Sequence, residues 1–304
     1  MRPAAIGGLL ACTACQSPLE ESGDAELVCT LCGRVTPSLA DGRYDFRLRP
    51  DDQLCYRRHY SPRSYAKALD MPLCMERPSD LPRNRFDGVV PVHLTPAQVS
   101  YLPEGRAGQI ALDLGCGHGQ QRAVLEKLGY QVYGVDFEGA AADDLVDAHA
   151  LPLRDDSLDL VMSIAVLEHL ADPFRAVSEI QRVLRPGGCF LGTVAFLEPF
   201  HDNSFFHFSH LGLSWVLQTN GFEVETISPI PSWDVLRAQI EMEVASGSKA
   251  VRAVGKMASL PLVWGLEAYG ALGRRFARAR QRYARPLLTA RHAGAFFFVT
   301  RKPS

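Results

Sequence analysis

Ile110-Ala-Leu-Asp-Leu-Gly-Cys-Gly-His-Gly119 is an apolar run that ends in three glycines spaced two residues apart. The run has the composition of a buried parallel strand, and the glycines form the turn that follows it. Glycine allows a positive φ and lets a ligand approach main-chain N–H groups at the start of a helix. The stretch therefore predicts a strand, a ligand-binding turn and a helix, in that order.

Two acidic residues further along the chain indicate which ligand this turn binds. Gln131-Val-Tyr-Gly-Val-Asp136 is typical of a second strand that ends in a carboxylate, and Asp147 follows a short third strand. A carboxylate at the end of strand two can accept both ribose hydroxyls of a nucleoside, through bonds worth roughly 1.5–3 kcal/mol each. Asp147 is placed to bind an adenine amino group. Dinucleotide fingerprints space their last glycine three residues on, so the spacing here disfavours an oxidoreductase.

Five motifs in this order resemble the class I S-adenosylmethionine-dependent methyltransferases of the type 11 group. They are Asp113–Gly119, Asp147–Pro152, Ser157–Val161, Leu167–His169 and Leu184–Gly188. The resemblance covers roughly residues 105–230 and resumes in a final strand at 295–301. It implies an α/β fold with a Rossmann-like seven-stranded sheet whose last strand is antiparallel.

The resemblance also implies S-adenosylmethionine as cofactor. Asp136 would hold the ribose, Asp147 and Ala148 the adenine edge, the glycine turn the methionine end, and Ile164–Val166 the floor beneath it. The predicted cofactor-binding residues are Asp113, Gly115, Cys116, Gly117, Gly119, Asp136, Phe137, Asp147, Ala148, His149, Ile164, Ala165 and His169.

Methyl transfer to a hydroxyl needs a base, and histidine is matched to proton removal near neutral pH. His201 lies in the loop after the fifth strand, where ligands of doubly wound sheets bind, and is the first candidate base. His169 and His207 are the next candidates. An ordinary loop or core histidine is the alternative for each of them.

The beginning of the chain carries two C-x-x-C pairs separated by thirteen residues, namely Cys12, Cys15, Cys29 and Cys32. Two such knuckles on facing hairpins complete a tetrahedral sulfur site for Zn²⁺, and four thiolates leave no open position, so the metal would be structural. Oxidised or vestigial cysteines are one alternative. A lipidation signal at Leu9–Cys12 is another, but the apolar stretch before it is shorter than a signal peptide requires.

The remaining segments complete a predicted division of the chain. A zinc ribbon spans 1–48, a linker or lid 49–104, the methyltransferase core 105–232 and 292–304, and a helical insertion 233–291. Within the insertion, the stretch Leu260–Leu272 is apolar and contains Trp264 and Tyr269, and an arginine-rich stretch from Arg274 to Arg285 follows it. Such a helix is typical of a membrane surface or lipid-linked substrate, of a cap on the active site, or of a homodimer contact.

Composition limits the possible partners. The formal net charge of −2 gives no general attraction to nucleic acid. The sequence also has no uncharged apolar run of 18 residues, the length needed to span a membrane. We therefore expect a cytoplasmic enzyme that methylates a hydroxyl, or an amine or carbon, of a small molecule, sugar or natural product. Two alternatives stay open. The first is an rRNA base methyltransferase, because a zinc ribbon ahead of this fold resembles that group of enzymes. The second is a non-methylating member of the fold that uses the cofactor for a cyclisation.

Overall fold

The computed structural model describes residues 2–23, 26–54, 86–91, 93–199, 203–230, 233–243 and 290–304, and six positions between 254 and 268. Most of the predicted linker and most of the predicted helical insertion therefore lie outside the described residues. Within the described residues, no helix is both long enough and apolar enough to cross a bilayer.

The described residues form strands and helices that follow the order predicted for the core. The strands are β1 (Leu19–Glu21), β2 (Leu27–Cys29), β3 (Val35–Thr36), β4 (Asp45–Phe46), β5 (Ile110–Leu114), β6 (Gln131–Asp136), β7 (Asp144–Val146), β8 (Leu158–Ile164), β9 (Leu184–Ala195), β10 (Glu223–Pro229) and β11 (Ala295–Arg301). The helices are α1 (Ala4–Gly7), α2 (Pro96–Val99), α3 (Arg122–Lys127), α4 (Pro173–Val183), α5 (His210–Thr219) and α6 (Val235–Glu243), with a 3-10 turn at Leu167–His169.

The main sheet has the order β10-β11-β9-β8-β5-β6-β7-β4. Strands β4 to β9 pair in parallel, whereas β11 runs antiparallel to both of its neighbours. This arrangement confirms the predicted α/β class, the Rossmann-like core and the antiparallel last strand. The sheet has one strand more than predicted, because β4 from the N-terminal segment joins its edge.

The central strands are apolar because helices cover both faces of a parallel sheet. All five residues of β5 are buried. On one face, α4 begins at an Asp172 cap whose side chain accepts a bond from the Arg175 N–H, and its buried side faces the core. The helix predicted after the glycine turn is α3, which starts three residues after Gly119, since Gly119 has a φ of +71° that a helix does not allow.

The edge of the sheet beyond β6 is trimmed, as the short spacing predicts. Only seven residues separate β6 from β7, and they form a turn without a helix. The freed edge of β7 is occupied by β4, in the register Asp45 to Leu145 and Phe46 to Val146. The predicted ribbon segment therefore shares the sheet of the core.

The N-terminal segment also shares the main hydrophobic core. Ile6 and Leu10 pack in the same buried cluster as Leu151 and Leu153. Strands β1 to β3 form a separate antiparallel sheet. Because its apolar side chains are buried against the core, the segment is anchored to the sheet rather than tethered by a linker.

Candidate functional site

The glycine turn after β5 has the backbone that the sequence predicts. Gly115, Gly117 and Gly119 have φ values of +73°, +52° and +71°. A Cβ at position 115 would lie 2.3 Å from Cγ2 of Val166, whereas one at position 117 would meet no atom within 4 Å. The turn therefore packs tightly against the end of β8 at its first glycine and leaves open space at its second, where a ligand can approach the main chain.

Asp136 at the end of β6 is bonded to the same turn. Its Oδ2 accepts a bond from the Gly117 N–H at 2.8 Å, and its Oδ1 accepts from the N–H groups of Glu138 and Gly139 at 3.0 and 2.9 Å. A carboxylate offers about four acceptor positions, so one remains on Oδ2. The predicted grip on two ribose hydroxyls therefore requires Asp136 to share or release one of these main-chain bonds.

Asp113 lies in β5, two residues before the first glycine of the turn, and is nearly fully buried. Burial raises the pKa of Asp113 to about 7, nearby Arg122 opposes this shift, and the charges of Asp136 and Asp143 add to it. Its Oδ2 has no hydrogen-bond partner among the described residues. A buried oxygen without a partner is costly, and a positively charged donor from a ligand would satisfy it.

Asp147 is held in place by its neighbour His149. The His149 main-chain N–H and Nδ1 lie 2.9 and 2.6 Å from Oδ1 of Asp147. Nε2 of His149 accepts a bond from the Asp172 N–H at 3.1 Å, so Nδ1 carries the proton and donates to Asp147. Burial raises the pKa of Asp147 and the bonds from His149 lower it, with a net downward shift. Both ring nitrogens of His149 are thus occupied by protein atoms, and the side chain orients Asp147.

The predicted floor of the site lies where β8 ends. Ala165 has a φ of +55°, which is strained for an alanine, and its N–H donates to Oγ1 of Thr193 at 3.0 Å. The chain turns sharply here and places Val166 against Gly115. The ends of β5, β6 and β8 therefore meet at one edge of the sheet, which is where doubly wound folds bind ligands.

Glu168 is a buried carboxyl group that the sequence did not single out. Its Oε1 accepts a bond from the Ala195 N–H at 3.1 Å, and its main-chain oxygen accepts from the N–H groups of Phe205 and Phe206 at 2.7 and 3.0 Å. Its Oε2 has no partner within the described part of the chain. Burial raises the pKa of Glu168 to about 7, and the charge of Glu198 adds to the rise. The signal in the sequence was the motif that also contains His169.

The three candidate bases are in different situations. His201 lies outside the described residues. His169 is half-buried at the end of the 3-10 turn, next to Glu168, and its N–H donates to the Val166 oxygen at 2.9 Å. His207 is exposed in the loop after β9. His169 is therefore the described candidate closest in sequence to the floor, and the assignment of a base stays a prediction.

Two other predicted cofactor residues differ in exposure. Phe137, directly after Asp136, is 50% exposed, so its ring is open to a ligand. The Cys116 side chain is buried in a small apolar cluster, and burial raises the pKa of its thiol to about 12. A thiol in that state is unreactive, and because the side chain is buried, the main chain of Cys116 is the part that a cofactor can reach.

The four predicted metal ligands converge at the N-terminal end of the chain. Their sulfur atoms all lie within 4.8 Å of one another, the four residues being Cys12, Cys15, Cys29 and Cys32. The shortest Sγ–Sγ distances are 3.4 and 3.7 Å, too long for a disulfide and near the separation of about 3.8 Å in a tetrahedral Zn–S site. The donor set and its geometry therefore fit zinc.

The two C-x-x-C pairs have matching knuckle geometry. Gln16 and Gly33 each follow the second cysteine of a pair and have φ values of +60° and +70°. Their N–H groups donate to the main-chain oxygens of Cys12 and Cys29 at 2.9 and 3.1 Å. The same turn is thus made twice, once on each side of the sulfur cluster.

Comparison with known proteins identifies the central region of the chain. Residues 112–192 match the family described as methyltransferase domain, which supports the predicted resemblance to S-adenosylmethionine-dependent methyltransferases. A protein of Mycolicibacterium smegmatis (strain ATCC 700084 / mc(2)155), named a probable S-adenosylmethionine-dependent methyltransferase, is 36% identical over 141 residues, covering 39% of this chain and 54% of that protein. The 27-O-demethylrifamycin SV methyltransferase of Amycolatopsis mediterranei (strain S699) is 30% identical over 101 residues, covering 27% of this chain and 37% of that protein.

Among solved structures, that of the [4+2]-cyclase SpnF is similar over 79% of this chain and 92% of its own, with 20% identity and a TM-score of 0.44. The sequence matches are shorter. The chain spans about half the length of the first curated relative that it matches and a smaller share of the rifamycin enzyme.

Proposed function

We propose that this protein transfers a methyl group from S-adenosylmethionine to a hydroxyl group of a small-molecule acceptor. The observation that supports this most directly is the joining of the glycine turn to Asp136 at the sheet edge, above the unpartnered oxygen of Asp113. A nucleoside with a cationic tail fits that arrangement. The match of residues 112–192 to the methyltransferase domain family supports the same ligand.

Each part of the site has a separate task in this proposal. Asp136 accepts from the ribose, and Asp147, oriented by His149, accepts from the adenine amino group. Open space at Gly117 admits the ligand to the main chain. The unpartnered Oδ2 of Asp113 accepts from the ammonium group of the methionine end, which would restore the charged state of this carboxyl.

The cofactor supplies a methyl group on a positively charged sulfur, which is already activated for transfer. The new bond joins the acceptor oxygen to carbon, the carbon–sulfur bond breaks, and its electron pair stays on sulfur. The protein has to hold the acceptor oxygen in line with that bond and to remove its proton. We assign proton removal to His201, with His169 and His207 as the alternatives.

Several observations favour a small acceptor with a hydroxyl group. The rifamycin relative is named for O-methylation of a natural product. The net charge of −2 gives no electrostatic support for RNA binding. Two exposed aromatic rings, Phe205 and Phe206, lie in the loop after β9 and offer an apolar surface to an acceptor.

We further propose that the four cysteines hold one structural Zn²⁺. Thiolates must stay reduced to bind it, which agrees with the cytoplasmic setting that the sequence predicts. With four protein ligands the ion has no open position and takes no part in methyl transfer.

The first test is binding of S-adenosylhomocysteine to the purified full chain, measured by calorimetry and native mass spectrometry. We expect one nucleoside and one zinc per chain. Asp136→Asn should weaken binding by roughly 10- to 100-fold, since a charge-assisted bond is worth about 1.5–3 kcal/mol. The matched control is Asp156→Asn, at an exposed aspartate whose side chain bonds to Lys302.

A second stage identifies the acceptor. Small-molecule hydroxyl acceptors should give products heavier by one methyl group. Product of unchanged mass would indicate a cyclisation instead, and salt-dependent RNA binding would indicate a nucleic-acid substrate. Wild-type protein that binds zinc but no nucleoside would overturn the proposed function.

A further inference from the structure

The predicted metal ligands are attached directly to the loop that carries Asp147. The N–H of Ala11, the residue before Cys12, donates to the Pro152 oxygen at 3.0 Å. The Arg154 N–H donates back to the Leu9 oxygen at 2.9 Å. The first cysteine therefore follows a strand-like contact with the segment that begins just after Asp147.

A second attachment lies at the other end of the N-terminal module, which we define as residues 2–47. Strand β4 pairs with β7, and the Leu145 N–H donates to the Tyr44 oxygen at 3.0 Å. The Tyr44 N–H donates to Oδ1 of the fully buried Asp144 at 2.7 Å. Since Asp147 directly follows β7, this pairing fixes the strand that carries it.

A third attachment reaches the turn after Asp136. Nη1 of Arg43 donates to the Gly139 oxygen at 3.1 Å. The guanidinium of Arg47 lies over the Phe137 ring, 5.5 Å from its centre. The Gly139 N–H in turn donates to Asp136. Two arginines of the N-terminal module thus hold the turn whose main chain orients the proposed ribose carboxylate.

Both arginines are themselves fixed within the module. Nε and Nη2 of Arg43 lie 2.8 and 2.7 Å from Oδ2 of Asp41, and Arg47 makes two bonds to Asp45 at 2.9 and 2.8 Å. Their guanidinium groups are therefore pre-positioned, so little side-chain entropy is lost when they contact the turn. Their position depends on the fold of residues 39–47 and not on the core alone.

We propose that the N-terminal module is a positioning element of the cofactor site, in which Arg43 and Arg47 hold the Phe137–Gly139 turn, and that metal occupancy and cofactor affinity are coupled. This inference rests on the proposed function, because it concerns the same cofactor. The three strands β1 to β3 have only two or three residues each, so this small sheet, which carries Cys29 and precedes β4 in the chain, depends on its metal for a fixed shape. Loss of the metal would loosen all three attachments on the adenosine side of the site.

The coupling has a reciprocal consequence that can be measured without a methylation assay. If zinc raises the affinity for S-adenosylhomocysteine by some factor, then S-adenosylhomocysteine raises the affinity for zinc by the same factor. Coupling of this kind is typically about 5- to 150-fold. Two titrations on the full chain should each give a coupling factor in that range. The first measures the affinity for S-adenosylhomocysteine in zinc-loaded, zinc-stripped and reloaded protein. The second measures the affinity for zinc by competition, with and without the nucleoside.

A second set of measurements keeps the zinc in place. In zinc-loaded protein, Arg43→Ala and Arg47→Ala should each weaken S-adenosylhomocysteine binding by roughly 3- to 10-fold, the range of a single hydrogen bond or cation–π contact. Arg43→Lys keeps the charge and one donor and should restore part of the affinity. Arg49→Ala is the control, because Arg49 bonds within the N-terminal segment and not to the turn.

These variants remain informative if the zinc-stripped protein unfolds. Suppose that zinc-loaded wild type binds the nucleoside, and that neither metal removal nor either arginine substitution changes the affinity. That result would overturn this inference alone. Zinc-loaded wild type that binds no nucleoside would overturn the proposed function, and this inference with it.

Discussion

Replacing Glu168 with glutamine should stabilise the protein more as the pH rises. In the folded protein this carboxyl is 1% exposed, and burial raises its pKa to about 7, from an ordinary value of 4.5. A carboxyl group with a raised folded-state pKa does not destabilise the fold below its unfolded pKa. The destabilisation grows as the pH passes through the interval between the two values and is complete above the folded pKa.

The difference between 4.5 and about 7 corresponds to roughly 3 kcal/mol of destabilisation at pH 8. At pH 5.5 less than half of that destabilisation has developed, so we expect the free energy of unfolding of Glu168→Gln relative to wild type to rise by about 2 kcal/mol between pH 5.5 and 8. The amide keeps an acceptor for the Ala195 N–H. Its NH₂ group replaces an oxygen that has no described partner, a penalty of about 1–2 kcal/mol that does not depend on pH.

The assay is guanidinium unfolding of the nucleoside-free, zinc-loaded protein at both pH values, followed by tryptophan fluorescence. Glu179→Gln is the matched control. Glu179 is also buried, but its carboxylate bonds to Arg182 and Arg175 at 2.7–3.1 Å. Removing that charge takes the buried carboxylate away from both arginines and should destabilise the protein by about 3 kcal/mol at both pH values.

The pH dependence decides the outcome. A Glu168→Gln variant whose stability relative to wild type stays constant from pH 5.5 to 8, or falls, would refute the argument that burial without a partner governs this carboxyl group. A constant offset would mean that Oε2 is satisfied in solution, by water or by a residue outside the described part of the chain.

Two further substitutions, one of them with a control, test the packing of the glycine turn and the anchoring of the N-terminal module. Gly115→Ala should destabilise the protein by about 2–3 kcal/mol and weaken S-adenosylhomocysteine binding more than 10-fold, because its Cβ would lie 2.3 Å from Val166. Gly187→Ala is the control, since Gly187 has a similar φ of +75° but open space around it. It should destabilise the protein by only about 1 kcal/mol and leave the binding measured by calorimetry unchanged. Arg2→Ala should lower the free energy of unfolding by about 2 kcal/mol, since it removes the guanidinium 2.8 Å from the fully buried Asp144; an unchanged denaturation midpoint would show that this ion pair does not anchor the N-terminal module.

The sequence predicted those parts of the fold that have strong local patterns. The run at Ile110–Leu114 and the glycine turn each depend on neighbouring residues, and the structure has them where expected. Strand β4 was not predicted as part of the main sheet. Asp45 and Phe46 are too few to show a period, and their partner β7 lies about a hundred residues away.

The candidate site shows the same division. The acids at the ends of strands were found from their position, because strand ends of parallel sheets share one edge. The importance of Glu168 was missed, since His169 beside it has the more suitable ordinary pKa for catalysis. The surroundings of Glu168 are formed by Ala195 and by the loop after β9, which are distant in sequence. The burial of its carboxyl group therefore cannot be read from the local sequence.

The trimmed edge of the sheet explains why the N-terminal module reaches the cofactor site at all. Only seven residues separate Asp136 from β7, so the turn after Asp136 has no helix of its own to hold it. An uncovered edge strand is also prone to pair with other chains. Strand β4 covers that edge, and Arg43 beside it bonds to the turn at Gly139. One segment of chain therefore both covers the edge of the sheet and holds the turn, which is why we expect its metal and the cofactor to be linked.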